Sequence, residues 1–169
     1  MCSGAAVAVG REGHARGCLG YRGAAMAMPT LEELNGRMQG YDHLYGLEFL
    51  EVSEDQARAR VIVRDELKQP MGLVHGGVYA SLAESITSLA TAFAVMPEGK
   101  QAMGLANVTN FLRPITEGSV HALATRLHRG RTTWIWDVRM SDDAERVCAV
   151  TRMTIAVRLP AESPGSTAP

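Results

Sequence analysis

The stretch HGGVYASLAESITSLATAFAV, residues 75–95, decides how the rest of the chain is read. Its apolar positions Val78, Leu82, Ile86, Leu89 and Phe93 recur at three- and four-residue steps, the period of an α-helix. Ala, Ser and Thr dominate the remaining positions. A helix so poor in charge is mostly buried, and its small residues let a sheet or a partner helix approach closely. Pro97-Glu98-Gly99 ends it.

Working outward, strands flank this helix on both sides. Upstream, Thr30 caps a short helix that carries Glu32 and Glu33 in its first turn and stops at Gly40. Gly46 to Ser53 reads as a strand. In a second, Ala57, Ala59, Val61 and Val63 alternate with Arg58, Arg60 and Ile62, and Ser53-Glu54-Asp55 supplies the turn between the two. Downstream, four strand-like stretches run 101–112, 119–128, 132–140 and 146–158. They are broken at Arg113-Pro114 to Gly118, Arg129-Gly130-Arg131 and Ser141-Asp142-Asp143. Trp134, Trp136, Val138 and Met140 form one period-2 face, and Val147, Ala149, Thr151, Met153, Ile155 and Val157 another. Consecutive strands with short turns imply an antiparallel sheet of five to six strands, with the long helix covering one face, an α+β architecture.

The 169 residues fit one domain that can bury a core without metals or disulfides. A formal net charge of −1 gives no field toward nucleic acid or an anionic membrane, and 5% aromatic residues leave few stacking platforms. Cys2, Cys18 and Cys148 form no C-x-x-C pair, zinc pattern or disulfide framework, and read as free thiols of a reducing, cytoplasmic compartment. No apolar run approaches the ~20 residues needed to cross a bilayer. Residues 1–28 are rich in Gly, Ala and Arg and read as a disordered tail, with Met26 or Met28 as possible initiators. Residues 160–169 read as a second tail. The folded domain is expected over 29–159.

The chemistry concentrates between Gln69 and Ser88. Gly76 and Gly77 stand where a loop becomes a helix. The first amides of a helix lack internal partners, and glycines there either admit a carbonyl close to them or merely shape the loop. Glu84 is the only acid from position 70 to 97. A lone carboxylate in a buried helix would be desolvated, and is either paired structurally or is a catalytic base or nucleophile. Gln69 can donate to a carbonyl or stand exposed in its loop. His75 can orient that loop or line a pocket, but no Ser or Cys nucleophile pairs with it. Ser88, four residues after Glu84 on the same helix face, can hold a water or simply pack. Arg113, Arg129, Arg131 and Arg158 are candidate phosphate contacts, and the turn Gly130-Arg131-Thr132-Thr133 can hold a phosphate on its amides and hydroxyls. Seven positions separate Gly77 from Glu84, about 10 Å of helical rise. One helix cannot easily aim both at a single carbonyl, but two antiparallel copies can, which hints at a site shared between subunits.

Five pieces together carry a family resemblance: Gly72-Leu-Val-His-Gly-Gly-Val78, Glu84, Asn110-Phe-Leu-Arg-Pro114, Thr132-Thr-Trp-Ile-Trp-Asp-Val138 and Ile155-Ala-Val-Arg158. From about Tyr41 to Arg158 the chain resembles the hot-dog thioesterases, in the branch of the phenylacetate-pathway enzymes and the Arthrobacter-type 4-hydroxybenzoyl-CoA thioesterase. The resemblance implies hydrolysis of an aromatic acyl-CoA, with Glu84 as nucleophile or general base and the Gly76 amide polarising the thioester carbonyl. Gln69, His75 and Ser88 would assist. Gly77, Arg113, Arg131, Thr132 and Thr133 would contact substrate or coenzyme A, which is part of the substrate. No metal or separate cofactor is implied. It also implies homodimers with a shared active site, paired into tetramers. Ser88 keeps a hydroxyl where the Arthrobacter-type enzyme has threonine. Leu89 is apolar where that enzyme has an acid near the acyl pocket, and Arg131 replaces a small polar residue. A hot-dog hydratase or dehydratase, which would need an Asp/His pair absent around His75, and a non-catalytic acyl-CoA-binding protein are the alternatives.

Overall fold

The computed structural model describes residues 29–160. Two short helices, α1 (Leu31–Gly36) and α2 (Gly40–Tyr45), precede β1 (Leu47–Val52) and β2 (Gln56–Ile62). The long helix α3 (Gly76–Val95) follows, and then β3 (Gln101–Phe111), β4 (Ser119–Arg129), β5 (Thr133–Ser141) and β6 (Val147–Arg158). The expected tails, residues 1–28 and the C-terminal segment apart from Pro160, lie outside the described residues, as do Cys2 and Cys18.

One six-stranded sheet carries the order β1-β2-β4-β5-β6-β3, with every pairing antiparallel. It wraps α3, the hot-dog arrangement. The period-2 faces read from the sequence point inward: Ala57, Ala59 and Val61, then Trp134, Trp136, Val138 and Met140, then Ala149, Thr151, Met153, Ile155 and Val157 are buried. From the helix, Val78, Leu82, Ile86, Ala90 and Val95 complete the core, with Leu89 and Phe93 packed at its margin. Two threonines of α3 are fully buried, and both are satisfied along the helix itself. Thr87 donates to the Ala83 carbonyl at 2.8 Å and Thr91 to that of Thr87 at 2.7 Å. The Thr91 hydroxyl in turn accepts from the Trp136 indole at 3.0 Å, tying helix to sheet. By length and composition this segment could cross a membrane, but here it is the helix the sheet wraps.

The first helix begins with the expected cap: Thr30 accepts from the Glu33 amide while Glu33 accepts from that of Thr30. One expectation fails. Gly40 does not stop a helix but begins α2, which closes on Gly46 in the left-handed conformation, φ 77°. Long-range contacts hold this short helix. Ser85 donates to Asp42 at 2.6 Å, and the single proton of the buried Tyr45 hydroxyl is shared between Asp42 at 3.1 Å and Ser85 at 3.0 Å.

Candidate active site

The loop before α3 is organised around its first turn. The Leu67 carbonyl accepts from the His75 amide at 2.8 Å, and the Ile115 carbonyl accepts from the Val74 amide at 2.8 Å, which seats the loop between two anchored segments. His75 is the N-cap: its Nδ1 accepts from the Gly77 amide at 2.9 Å and its carbonyl from the Val78 amide. The proton of the neutral imidazole therefore sits on Nε2. The Gly77 N–H is thus engaged by His75, which leaves Gly77 its lack of a side chain, and not its amide, to offer at the helix start. The Gly76 amide makes no hydrogen bond among the described residues. It heads a 20-residue helix, where the backbone dipole leaves partial positive charge. A side chain at Gly76 would also strike the Phe111 ring, 2.8 Å from where its Cβ would lie.

In front of Gly76 opens a cavity of about 440 Å³, walled by Gln69, Leu73, Tyr79, Phe111, Arg113 and Pro114. Gln69 Oε1 accepts from the Met71 amide at 2.7 Å, so its Nε2 is the end left to donate outward. Arg113 is exposed, with one nitrogen on the Val147 carbonyl at 3.2 Å. Tyr79 and Phe111 pack as a tilted pair with centroids 5.9 Å apart.

Glu84 lies elsewhere. It is on the exposed side of α3, makes no ion pair among the described residues, and rests across Gly104 of β3, whose Cβ, if present, would lie 3.1 Å from Glu84 Oε1. The burial expected of this carboxylate does not occur within a single chain. The reason is geometric: Glu84 stands two residues after Leu82 and two before Ile86, about 200° around the helix from each and so opposite the apolar stripe. Ser88, one turn on, is half-buried.

A third location holds the remaining candidates. Arg131 lines a small depression with Val95, Lys100, Arg129 and Trp134, beside Thr132 in the turn before β5 and Thr133 at the start of that strand. Arg129 is committed there to Glu54, to Glu98 at 3.5 Å and to the face of Trp134, and Arg158 donates to the Thr132 carbonyl at 2.6 Å. Both are engaged within the chain while remaining exposed at the surface. The structure thus unites Gln69, His75, Gly76, Gly77 and Arg113 at one end of α3, sets Glu84 and Ser88 at its middle, and leaves Arg131, Thr132 and Thr133 at its far end. Gly104 was not singled out in the sequence, although an isolated glycine within a strand pattern signals a close approach. Among the described residues no cluster of His, Cys, Asp and Glu is arranged to hold a metal ion, and Cys148 is a buried free thiol.

Comparison with known proteins gives a consistent outcome. The thioesterase superfamily model matches residues 71–149. The Mycobacterium tuberculosis protein Rv1847 is 46% identical over 112 residues, 64% of this chain and 79% of that protein. The 1,4-dihydroxy-2-naphthoyl-CoA hydrolase of Escherichia coli K12 is 35% identical over 132 residues, 76% of this chain and 94% of that enzyme. Among solved structures, thioesterase HI1161 of Haemophilus influenzae superposes with a TM-score of 0.75 at 34% identity, covering 82% of this chain and 97% of that one. Fold, loop and sequence agree, and the chain belongs to the thioesterase superfamily, as a hot-dog hydrolase of thioesters.

Proposed function

We propose that this chain hydrolyses an aromatic acyl-CoA to the free acid and coenzyme A, in a site shared between two copies. One observation carries the reading. A Gly76 amide and a Glu84 carboxylate that have no partner among the described residues sit on one helix, eight residues or about 12 Å apart, both bordered by strand β3. A second copy set antiparallel along β3 brings the Glu84 of one chain toward the Gly76 of the other. Two such dimers pairing would give the tetramer implied by the resemblance. The reaction is assigned to the cytoplasm, with no cofactor beyond the coenzyme A of the substrate.

In this reading the Gly76 amide donates to the thioester oxygen, where negative charge develops on attack, and Gln69 Nε2 donates beside it. Glu84 either attacks the carbonyl carbon, expelling the thiolate and leaving an anhydride that water opens, or takes a proton from the water that attacks. Both routes consume one water and release acid and thiol. Ser88 holds the water near Glu84, and His75 keeps the helix start aimed. Gly77 lets the substrate approach that start. Arg113 meets the coenzyme arm near the cavity mouth, with Arg131, Thr132 and Thr133 on its phosphates. The named activities of the Escherichia coli and Listeria monocytogenes relatives, both 1,4-dihydroxy-2-naphthoyl-CoA hydrolases, support a fused-ring aromatic acyl group alongside the 4-hydroxybenzoyl and phenylacetyl classes.

The test is thiol release from 1,4-dihydroxy-2-naphthoyl-, 4-hydroxybenzoyl-, phenylacetyl-, hexanoyl- and palmitoyl-CoA, with Glu84→Gln alongside. The aryl esters are expected to lead, and the variant to lose about 10²–10⁴-fold in kcat. Preference for palmitoyl-CoA would overturn the substrate class. A Glu84→Gln enzyme with normal turnover would overturn the role of the carboxylate.

A further inference from the structure

Strand β3 holds α3 by a polar link that the reading above does not use. Asn107, half-buried on β3, donates from Nδ2 to the Ala80 carbonyl at 2.9 Å. Its Oδ1 accepts from Thr109 Oγ1 at 2.8 Å, which fixes which end of the amide faces the helix. With that proton spent, the 2.8 Å contact between Thr109 and the buried Thr151 of β6 runs from Thr151 to Thr109. Every proton in the chain Thr151, Thr109, Asn107, Ala80 then points one way, toward α3.

Ala80 lies four residues after Gly76 and four before Glu84. In an α-helix its carbonyl is the acceptor for the Glu84 amide, so Asn107 shares the acceptor that holds the Glu84 backbone. Nearby on the same strand, Gly104 lies under the Glu84 carboxylate, at a bulge between Gly104 and Ala106 that departs from the β6 register. The strand thus touches Glu84 twice, at the carboxylate through Gly104 and at the backbone through Asn107. Apolar packing alone resists sliding of a helix along a sheet only weakly, whereas a directional hydrogen bond to one carbonyl sets its axial position.

We propose that Asn107 is a positioning residue for Glu84, holding the Ala80–Glu84 turn of α3 in place on β3. The proposal rests on the catalytic reading of Glu84. Its test is steady-state kinetics of Asn107→Leu, which keeps the volume and removes both hydrogen bonds, on the aryl-CoA with the highest kcat/KM. A reacting group displaced by about 1 Å costs about 10²-fold, so kcat is expected to fall by up to that factor with KM within about twofold of the parent. Thr109→Val, which leaves Asn107 in place but unoriented, is expected to lose less, again in kcat alone, and covers the case of a poorly folding Asn107→Leu. In a Glu84→Gln background Asn107→Leu is expected to cost nothing further, because a misplaced group that is already absent cannot be misplaced again. An unchanged kcat in both variants, or the same loss repeated in the Glu84→Gln background, overturns the positioning role while leaving the carboxylate's role intact. Normal turnover by Glu84→Gln alone overturns both.

Discussion

The two edges of the sheet are built in opposite ways. At one edge β1 is short and closed by its own chain. Asn35 of α1 donates to the Phe49 carbonyl at 2.9 Å and accepts from the Phe49 amide at 2.8 Å, occupying both outward backbone groups of that residue. A bulge between Phe49 and Glu51 interrupts the ladder, and Glu48 and Glu51 bring charge, paired to Arg60 and Arg58. These are devices that keep an edge from pairing again. At the other edge β3 runs for 11 residues with β6 as its only partner among the described residues. Met103, Leu105, Val108, Phe111 and Leu112 are all at least half exposed, and no charged residue stands between Gln101 and Leu112. A long apolar edge left open is a liability unless another strand meets it. The candidate site lies along that same edge, with Gly104 under Glu84 and Phe111 against Gly76. The closed edge is satisfied within the chain, and the open one is the edge that the proposed assembly and chemistry would use.

The strongest way to break this contrast is to charge the open edge. Leu105→Lys with Val108→Lys is expected to yield single chains in analytical ultracentrifugation, each lysine weakening association by about 2 kcal/mol, or roughly 30-fold in dissociation constant. Turnover per chain should fall with association and recover partly as protein concentration is raised. A double variant that remains a dimer with full turnover would mean that copies meet somewhere other than β3. The matching change at the closed edge is Asn35→Ala. It strands the amide and carbonyl of the buried Phe49 and is expected to lower stability by about 1–3 kcal/mol in urea unfolding, with association state and kcat unchanged. Loss of turnover in folded Asn35→Ala would show that the two edges are not separate in function.

Much of this was legible in the sequence, because periodicity reports burial. Each of the four strands after α3 begins and ends within one residue of its reading: β4, β5 and β6 bury one face, while β3, which buries none within the chain, is bounded by Pro97-Glu98-Gly99 and Arg113-Pro114. The helix α2 was not legible: six residues starting at a glycine carry little propensity, and contacts to Ser85 and Ser81, some 40 positions away, hold them. The candidates Glu84 and Gly76 stood out where chemistry and spacing meet. The separation of the site candidates into three places along α3 was not legible, because sequence does not say which sheet edge stays open. The exposure of Glu84 could have been read from its offset of two from Leu82 and Ile86. A charge-poor helix suggested burial all round, and that general expectation hid the particular one. Asn107 carries no pattern at all, since one asparagine in a strand looks like any polar position.

Behind the open edge, Tyr79 offers the smallest and cleanest test. Its ring supports Phe111, while its hydroxyl is buried with no hydrogen-bond partner among the described residues. Burial pushes this phenol up to about 12, the nearby Cys148 and Asp142 add to the rise, and the Ile115 amide, outside hydrogen-bond geometry, draws it back. The sign follows from proton binding. Below pH 10, the ordinary value for tyrosine, the folded and unfolded chains both hold the proton. From pH 10 to about 12 the unfolded chain releases it and the folded chain keeps it, so rising pH favours unfolding. Tyr79→Phe keeps the ring, removes the stranded hydroxyl, and is expected to leave stability at pH 7 unchanged or raised by up to about 1 kcal/mol. Between pH 10 and 12 the variant should lose stability more slowly than the parent, the gap reaching on the order of 2 kcal/mol in denaturant titrations. Tyr45, also raised by burial, remains in both proteins and cancels from the difference. A variant less stable than the parent at pH 7, with an unchanged alkaline slope, would mean that the hydroxyl finds a partner in solution. The wall behind Phe111 would then be held by a hydrogen bond as well as by ring packing, and the open edge would be more rigidly backed than its exposed side chains suggest.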